Sequence, residues 1–213
     1  MWVPWTTNMV EDEKLVKIIK NKANIKKFKK GQIIFYQGEE SDKYYLLLHG
    51  RIEISLHSID GKKKTISIHE PRCFFGELIM DHQPRITTAT CLTDVTVAQM
   101  NTTFSLGSEL YDKKLYMALF YSTNFKLRTQ ILQLSEHVFN EVEDRVEKLL
   151  SGLCANFGYD NDKFVQVDLP VTHQLIADIV GSSRVRVSQI LSEFSKQERI
   201  QVKRNEITLR KVT

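Results

Sequence analysis

Cysteine is scarce in this chain of 213 residues: Cys73, Cys91 and Cys154 are odd in number and far apart. That excludes a disulfide framework and favours a reducing compartment. Three scattered thiols also fall short of the roughly four thiolates that an iron–sulfur cluster needs. Long apolar runs are missing too, since nothing approaches the roughly 20 residues required to span a bilayer. No membrane partner is therefore expected. The first residues, MWVPWTTN, place no basic stretch ahead of an apolar one, so a secretory signal is not expected and the cytoplasm is the expected location. No nucleophile–base grouping and no metal-ligand spacing occurs, so neither an enzyme nor a metal protein is expected. What is present, 42% hydrophobic and 26% charged residues, suffices for one or two ordinary cores.

Residues 11–23 read as a Lys-rich amphipathic helix. Short β-like runs follow at 32–36, 44–48, 51–57, 65–69, 89–92 and 96–100, punctuated by Gly31, Gly38, Gly50 and Gly61. Asp60-Gly61 is a hairpin signal by itself. Regular short strands separated by turn residues predict a barrel or sandwich. The eight lysines between Lys14 and Lys30 read as a solvated face, because no aromatic or arginine grouping accompanies them.

The last forty residues differ. Two amphipathic segments, one carrying Leu175, Ile176, Ile179 and Val180 and the other Val187, Ile190, Leu191 and Phe194, are separated by Gly181-Ser182-Ser183. Thr172 and either Ser182 or Ser183 are candidate N-caps, and Gly181 suits a left-handed helix end. Ser183, Arg184, Arg186, Ser188 and Gln189 leave donors on the outer face of the second segment, where a recognition helix meets bases and phosphates. The plainer alternative is a packed helical pair with a solvated basic face. A hairpin then follows, with Ile200-Gln201-Val202 and Ile207-Thr208-Leu209 flanking Lys203-Arg204-Asn205-Glu206, and reads as a wing. From Ser182 onward, eight Lys and Arg against three Asp and Glu leave +5, more than the whole chain's +4. That is the footprint of a phosphate-binding surface, with Lys203 at the wing tip and His173 placed to touch phosphate.

One irregular segment interrupts the β region, Phe74-Phe75-Gly76-Glu77-Leu78 through Pro84-Arg85-Ile86-Thr87-Thr88. Gly76 allows close approach of a ligand, Glu77 can accept from ligand hydroxyls, and Arg85 can fork two donors onto an anion. The alternative is a structural Glu77–Arg85 ion pair closing a loop. Met117, Phe120, Asn124, Leu127, Ile131, Leu134 and Val138 step by threes and fours, an a/d stripe over about three heptads. Its polar neighbours Gln130, Gln133 and Glu136 suit a partner helix better than packing on the chain's own β-domain.

In order of parts the chain resembles the CRP/FNR family of bacterial transcription regulators. Three blocks carry the likeness: the opening from Lys30-Gly31-Gln32 to Gly50-Arg51-Ile52, the cassette Phe75-Gly76-Glu77-Leu78 with Pro84-Arg85, and Ile179-Val180-Gly181-Ser182-Ser183-Arg184 with Ile190-Leu191. The resemblance implies an α+β fold: a cyclic-nucleotide-binding-type β-roll in residues 1–103, a long dimerisation helix and hinge in 104–140, and a winged helix-turn-helix in 141–213. Asn140-Glu141 is the expected hinge, and 142–157 the first helix of the DNA-binding part. It further implies a homodimer on a two-fold DNA operator with half-sites about one helical turn apart, and RNA polymerase as a partner.

Effector binding is expected at Gly76, Glu77, Leu78, Arg85, Ile86 and Thr87, with Gln130 and Ile131 on the long helix. Here the chain departs from the cyclic-AMP-binding members. Ile86 stands where they carry a serine, intruding on the phosphate, and Gln130-Ile131 where they carry a Thr-Ser pair. Each lost charge-assisted bond costs about 1.5 to 3 kcal/mol, so cyclic AMP is not the expected effector, and a small anionic molecule stays open. Haem has only His69 and Cys73 as a nearby pair, which read as a strand residue and a core thiol. Cys73 as a redox switch competes with its role as a small buried hydrophobe. The expected DNA-contacting residues are Thr172, His173, Ser183, Arg184, Val185, Arg186, Ser188, Gln189 and Lys203. Val185 and Gln189 replace the family's Glu and Arg, which favours thymine methyl and adenine and predicts A·T-leaning half-sites. Two alternatives remain: ligand-independent DNA binding with a vestigial pocket, and a cyclic-nucleotide-binding regulatory module.

Overall fold

The computed structural model describes residues 5–6, 9–161, 164–167, 171–203 and 206–210. They form two compact units, one spanning Pro4–Arg128 and another beginning at Thr129.

In the first unit, Asp12 caps helix α1 (Glu13–Lys22) by accepting from the Leu15 amide at 3.0 Å. Leu15 and Ile19, four residues apart, bury one face, while the eight lysines between Lys14 and Lys30 are exposed. Nine strands are present: β1 (Trp5–Thr6), β2 (Asn24–Phe28), β3 (Ile33–Phe35), β4 (Lys43–His49), β5 (Ile52–His57), β6 (Lys63–His69), β7 (Phe74–Phe75), β8 (Thr88–Cys91) and β9 (Val95–Asn101); β3, β4, β5, β6, β8 and β9 match the expected runs, and β1, β2 and β7 were not foreseen. They make a five-stranded sheet in the order β1-β6-β5-β8-β3 and a four-stranded sheet in the order β2-β9-β4-β7.

The apolar run of β4 explains how the layers are held. Its side chains alternate between two cores. Tyr45 and Leu47 join Phe35, Ile52, Phe75, Ala89 and Val97 between the sheets. Tyr44 and Leu46 join Phe74, Met100, Leu15, Ile19, Leu115 and Leu119, the last two from helix α2 (Glu109–Phe139). Phe74 and Phe75 divide in the same way, so the two-residue strand β7 fixes the start of the cassette to both cores. Buried in this manner, β4 is continuous in its hydrophobicity where a half-buried strand would alternate.

The 31 residues of α2 extend about 46 Å. Leu115, Leu119, Ser122 and Gln133 are buried on one side. On the opposite side Met117, Phe120, Leu127, Ile131, Leu134 and Val138 are all exposed, between 41% and 64%. The a/d stripe is therefore left exposed along α2. Asn124 on this stripe donates to the Phe120 carbonyl of its own helix at 2.9 Å. No helix of the described residues is long and apolar enough to cross a membrane.

The second unit holds α3 (Val142–Phe157), α4 (His173–Val180), α5 (Arg184–Lys196) and a four-stranded antiparallel sheet. Its strands β10 (Gly158–Asn161), β11 (Phe164–Val167), β12 (Ile200–Lys203) and β13 (Glu206–Arg210) run in the order β10-β11-β13-β12. Val146, Leu149, Leu150 and Leu153 of α3 are buried, as are Ile176, Ile179 and Val180 of α4 and Val187, Ile190, Leu191 and Phe194 of α5. The hairpin expected at the C-terminus is β12–β13, and the sequence reading missed its partners β10 and β11.

Candidate nucleic-acid interface and effector site

Helices α4 and α5 are set by their caps. The Thr172 hydroxyl accepts from the Leu175 amide at 3.1 Å, and the Ser183 hydroxyl accepts from the Arg186 amide at 3.1 Å, so Ser183, not Ser182, begins α5. Gly181 ends α4 at φ 66°, and a Cβ there would also lie 3.0 Å from the His137 Nε2. Both the left-handed backbone and the close approach disfavour a larger residue.

Behind them, Arg145 of α3 donates to the Val180 carbonyl (3.1 Å) and to the Asn140 carbonyl (2.7 Å). Arg199 pairs with Glu147 and stacks 4.1 Å above the Phe194 ring. Its charge is thus spent inside the unit, although the sequence counted it toward the basic surface. Asn140, the expected hinge, bonds Glu136 at 2.7 Å, and Glu136 pairs with Lys148 at 2.9 Å.

The buried apolar row of α5 turns its other face outward. Arg184, Val185, Ser188 and Gln189 line one shallow surface depression. Thr172, Ser183, Arg184, Val185, Arg186 and Gln189 are exposed, Val185 at 68%. The side chains of Arg184, Arg186 and Gln189 make no hydrogen bond or ion pair among the described residues. His173 and Ser188 differ: both are half-buried, and they bond each other, Nδ1 to Oγ, at 2.9 Å. Lys203 pairs with Glu206 in the β12–β13 register. Its side chain, Arg204 and Asn205 lie outside the described residues.

In the first unit the cassette is built around Gly76, at φ 74°, where a Cβ would lie 2.8 Å from Arg85 Nη1. Arg85 is buried. It donates from Nη1 to the Gly76 carbonyl at 2.6 Å and from Nη2 to Ser41 Oγ at 3.0 Å and to the Lys43 carbonyl. Its guanidinium lies 4.1 Å above the Phe35 ring, which stacks with Tyr45 and Phe75, and its Nε has no partner among the described residues.

Glu77 does not pair with Arg85. Its buried carboxylate meets the ammonium of Lys126 on α2 at 2.5 Å, and that ammonium also donates to the Phe74 carbonyl at 2.6 Å. The sequence reading missed Lys126. Its signal was the helical period, since Lys126 continues the buried row of Leu115, Leu119 and Ser122.

Leu78 and Ile86 are exposed, at 54% and 58%, and Thr87 is half-buried. On α2, Gln130 is half-buried and Ile131 exposed.

His69 and Cys73 are core residues. Burial, with the charge of Lys126 adding, holds the His69 imidazole well below its usual range. Burial pushes the Cys73 thiol up to about 11, and its Sγ donates to the Thr6 carbonyl at 3.0 Å. That upward direction disfavours the thiolate a redox switch would need. Alkylation of Cys73 in the folded protein at pH 8 is expected to run about two decades slower than for a free thiol. Mass spectrometry after timed iodoacetamide exposure measures this, and rapid native-state labelling would restore the switch. No group of three or more metal-ligating side chains occurs among the described residues.

Known proteins share this arrangement. A family model for the cyclic nucleotide-binding domain matches residues 25–104, and one for the Crp-like helix-turn-helix domain matches 144–213. The chain is 31% identical to the CRP-like cAMP-activated global transcriptional regulator of Mycobacterium tuberculosis, over 79% of this chain and 75% of that one. It is 23% identical to the global nitrogen regulator of Synechococcus elongatus, over 87% and 85% of the two chains. Among solved structures, the c-di-GMP responsive global regulator CLP of Xanthomonas campestris superposes with a TM-score of 0.85 at 16% identity, covering 94% of this chain and all of that one.

The fold and these matches define a DNA-binding regulator with an effector domain of the cyclic-nucleotide-binding type, not an enzyme. The chain belongs to the CRP/FNR family of transcription regulators.

Proposed function

We propose that the protein is a cytoplasmic homodimer that reads a two-fold, A·T-leaning operator through α5 and answers a small effector bound at the cassette. One observation carries the reading. Arg184, Val185, Arg186 and Gln189 are exposed, and the three polar side chains among them have no partner among the described residues, while Val187, Ile190, Leu191 and Phe194 fix the helix beneath them. Arg184 and Arg186 would hold phosphate, Gln189 would take adenine N6 and N7, and Val185 a thymine methyl. Thr172 and Ser183, at the two helix N-termini, would add backbone contacts, and Lys203 would reach phosphate from the wing. The stripe from Met117 to Val138 supplies the dimer seam, and RNA polymerase is the proposed further partner.

The effector is proposed to be something other than cyclic AMP, although the Mycobacterium relative is described as cAMP-activated. Support comes from Arg85, whose terminal nitrogens already donate to Gly76, Ser41 and Lys43, and from Glu77, which is taken by Lys126. A cyclic phosphate and ribose would have to compete with these bonds for the same groups. Gly76, Leu78, Ile86, Thr87, Gln130 and Ile131 complete the proposed effector region.

Replacing Arg184 and Gln189 together by alanine is expected to abolish sequence-specific binding while leaving the melting temperature unchanged, as both side chains are exposed. Mobility shifts at fixed salt on duplexes selected by the parent protein measure it, and unaltered specific binding would remove α5 from the interface. Titration calorimetry of ligand-stripped protein with cyclic AMP tests the effector: no heat is expected, and micromolar binding would show that the cassette rearranges.

A further inference from the structure

Resting on the reading of α5 as the recognition helix, we infer that His173 is a positioning residue, which fixes the Ser188 hydroxyl as an acceptor and so makes it select bases that present an amino group.

The inference starts from a bond that a pure phosphate contact would not need. His173 is the first residue of α4 and Ser188 lies in the second turn of α5, yet His173 Nδ1 and Ser188 Oγ stand 2.9 Å apart. Ser188 lines the same depression as Arg184, Val185 and Gln189, so what its hydroxyl does bears on the base-reading face. The ring is half-buried, and Nε2 makes no hydrogen bond among the described residues.

Chemistry then sets the direction of the proton. A neutral imidazole has one N–H, and the bond made by one nitrogen decides the state of the other. With Nε2 turned to phosphate, whose oxygens only accept, Nε2 carries the hydrogen of the neutral ring. Nδ1 is then the acceptor, and the Ser188 hydroxyl spends its single proton on it. What remains toward the groove is a pair of oxygen lone pairs. A free serine suits any base, because its hydroxyl rotates to donate or accept. A serine held in this way accepts from adenine N6 or cytosine N4 and repels guanine O6 and thymine O4. Phosphate contact and base choice are thereby joined through one ring.

Two variants separate the two nitrogens. Asparagine places its amide oxygen near the position of Nδ1 but has nothing at Nε2, whereas alanine has neither. The full-length protein and its H173A, H173N and S188A forms would each be used to select from a duplex pool with randomised half-sites, and then titrated at fixed salt against the duplex the parent selects. The parent is expected to prefer adenine or cytosine at the position facing Ser188 by about three- to tenfold, the range of one neutral hydrogen bond. H173A and S188A should both lose that preference. H173N should keep it while weakening every duplex alike, with melting temperatures unchanged throughout. Three results would overturn the inference: H173A retaining the parental preference, S188A retaining it, or H173N behaving as H173A. Unaltered specific binding by the Arg184 and Gln189 alanine variant would overturn the reading of α5 along with it, so the two failures are distinguishable.

Discussion

Aspartate in place of both Leu127 and Ile131 is expected to give a folded monomer at micromolar concentration whose affinity for the operator is at least about a thousandfold lower. The two side chains are 58% and 59% exposed, one turn apart on the face of α2 opposite Leu115 and Leu119. The single chain therefore loses little by the change. In a dimer seam the pair would bury on both helices, and each fully buried leucine or isoleucine is worth about 1.5 to 3 kcal/mol. Four carboxylates in that seam replace the gain with desolvation and mutual repulsion. A monomer can then hold only one half-site. Specific over nonspecific binding spans roughly three to seven decades, so losing half of the contacts removes a thousandfold or more. Sedimentation velocity reports the assembly and mobility shift the affinity. A double variant that sediments and binds as the parent does would show that the stripe serves something other than self-association.

The second large effect concerns Lys126. Its replacement by methionine is expected to destabilise the β-roll by about 3 to 5 kcal/mol, because removing one partner of a buried pair leaves the other charge unpaired. Glu77 is only 5% exposed at its side chain, and Lys126 19%, so water cannot easily take over the ammonium's role. The Phe74 carbonyl loses its donor in the same change. At about 2 to 4 °C per kcal/mol for a chain of this size, the melting temperature should fall roughly 6 to 20 °C. Adding Glu77→Gln to Lys126→Met should restore much of the loss, since a neutral amide can stay buried without a counter-charge. Denaturant titration of the single and double variants closes the cycle. Equal stability of the parent and K126M would mean that the pair contributes nothing to the fold.

Much of this architecture was legible in the sequence because it is written in local chemistry. Gly181, Thr172 and Ser183 act through hydrogen bonds spanning three or four residues, and the helix-turn-helix could be placed from them directly. The β-roll strands were legible from runs such as Tyr44 to Leu48 and from glycine punctuation. Strands β10 and β11 were not, because Gly158, Asp160, Asn161 and Asp162 are residue types that favour turns, and β11 acquires its second partner, β13, some forty residues later in the chain. The cassette was legible as a set of residues but not as a set of bonds. Sequence order put Glu77 and Arg85 together, whereas the fold gave Glu77 a lysine from a distant helix and gave Arg85 three oxygen acceptors of the cassette and the chain near Ser41. Donor and acceptor inventories name the groups that must be satisfied; only the packing decides which of them meet.

The compact units divide between Arg128 and Thr129, inside α2, and within the second unit polar contacts tie Glu136, Asn140, Arg145 and Lys148 together. For recombination this means that the exchangeable module does not end where the helix ends. A hybrid joining this DNA-binding unit to another sensor domain should cross over within the helix, carrying Glu136 along with Lys148. The crossover must also conserve the phase of the seam, since one residue inserted or deleted there rotates everything beyond it by about 100° about the helix axis. Insertions of seven would be tolerated far better than insertions of one or two, and the spacing of such hybrids in natural genomes should carry that periodicity.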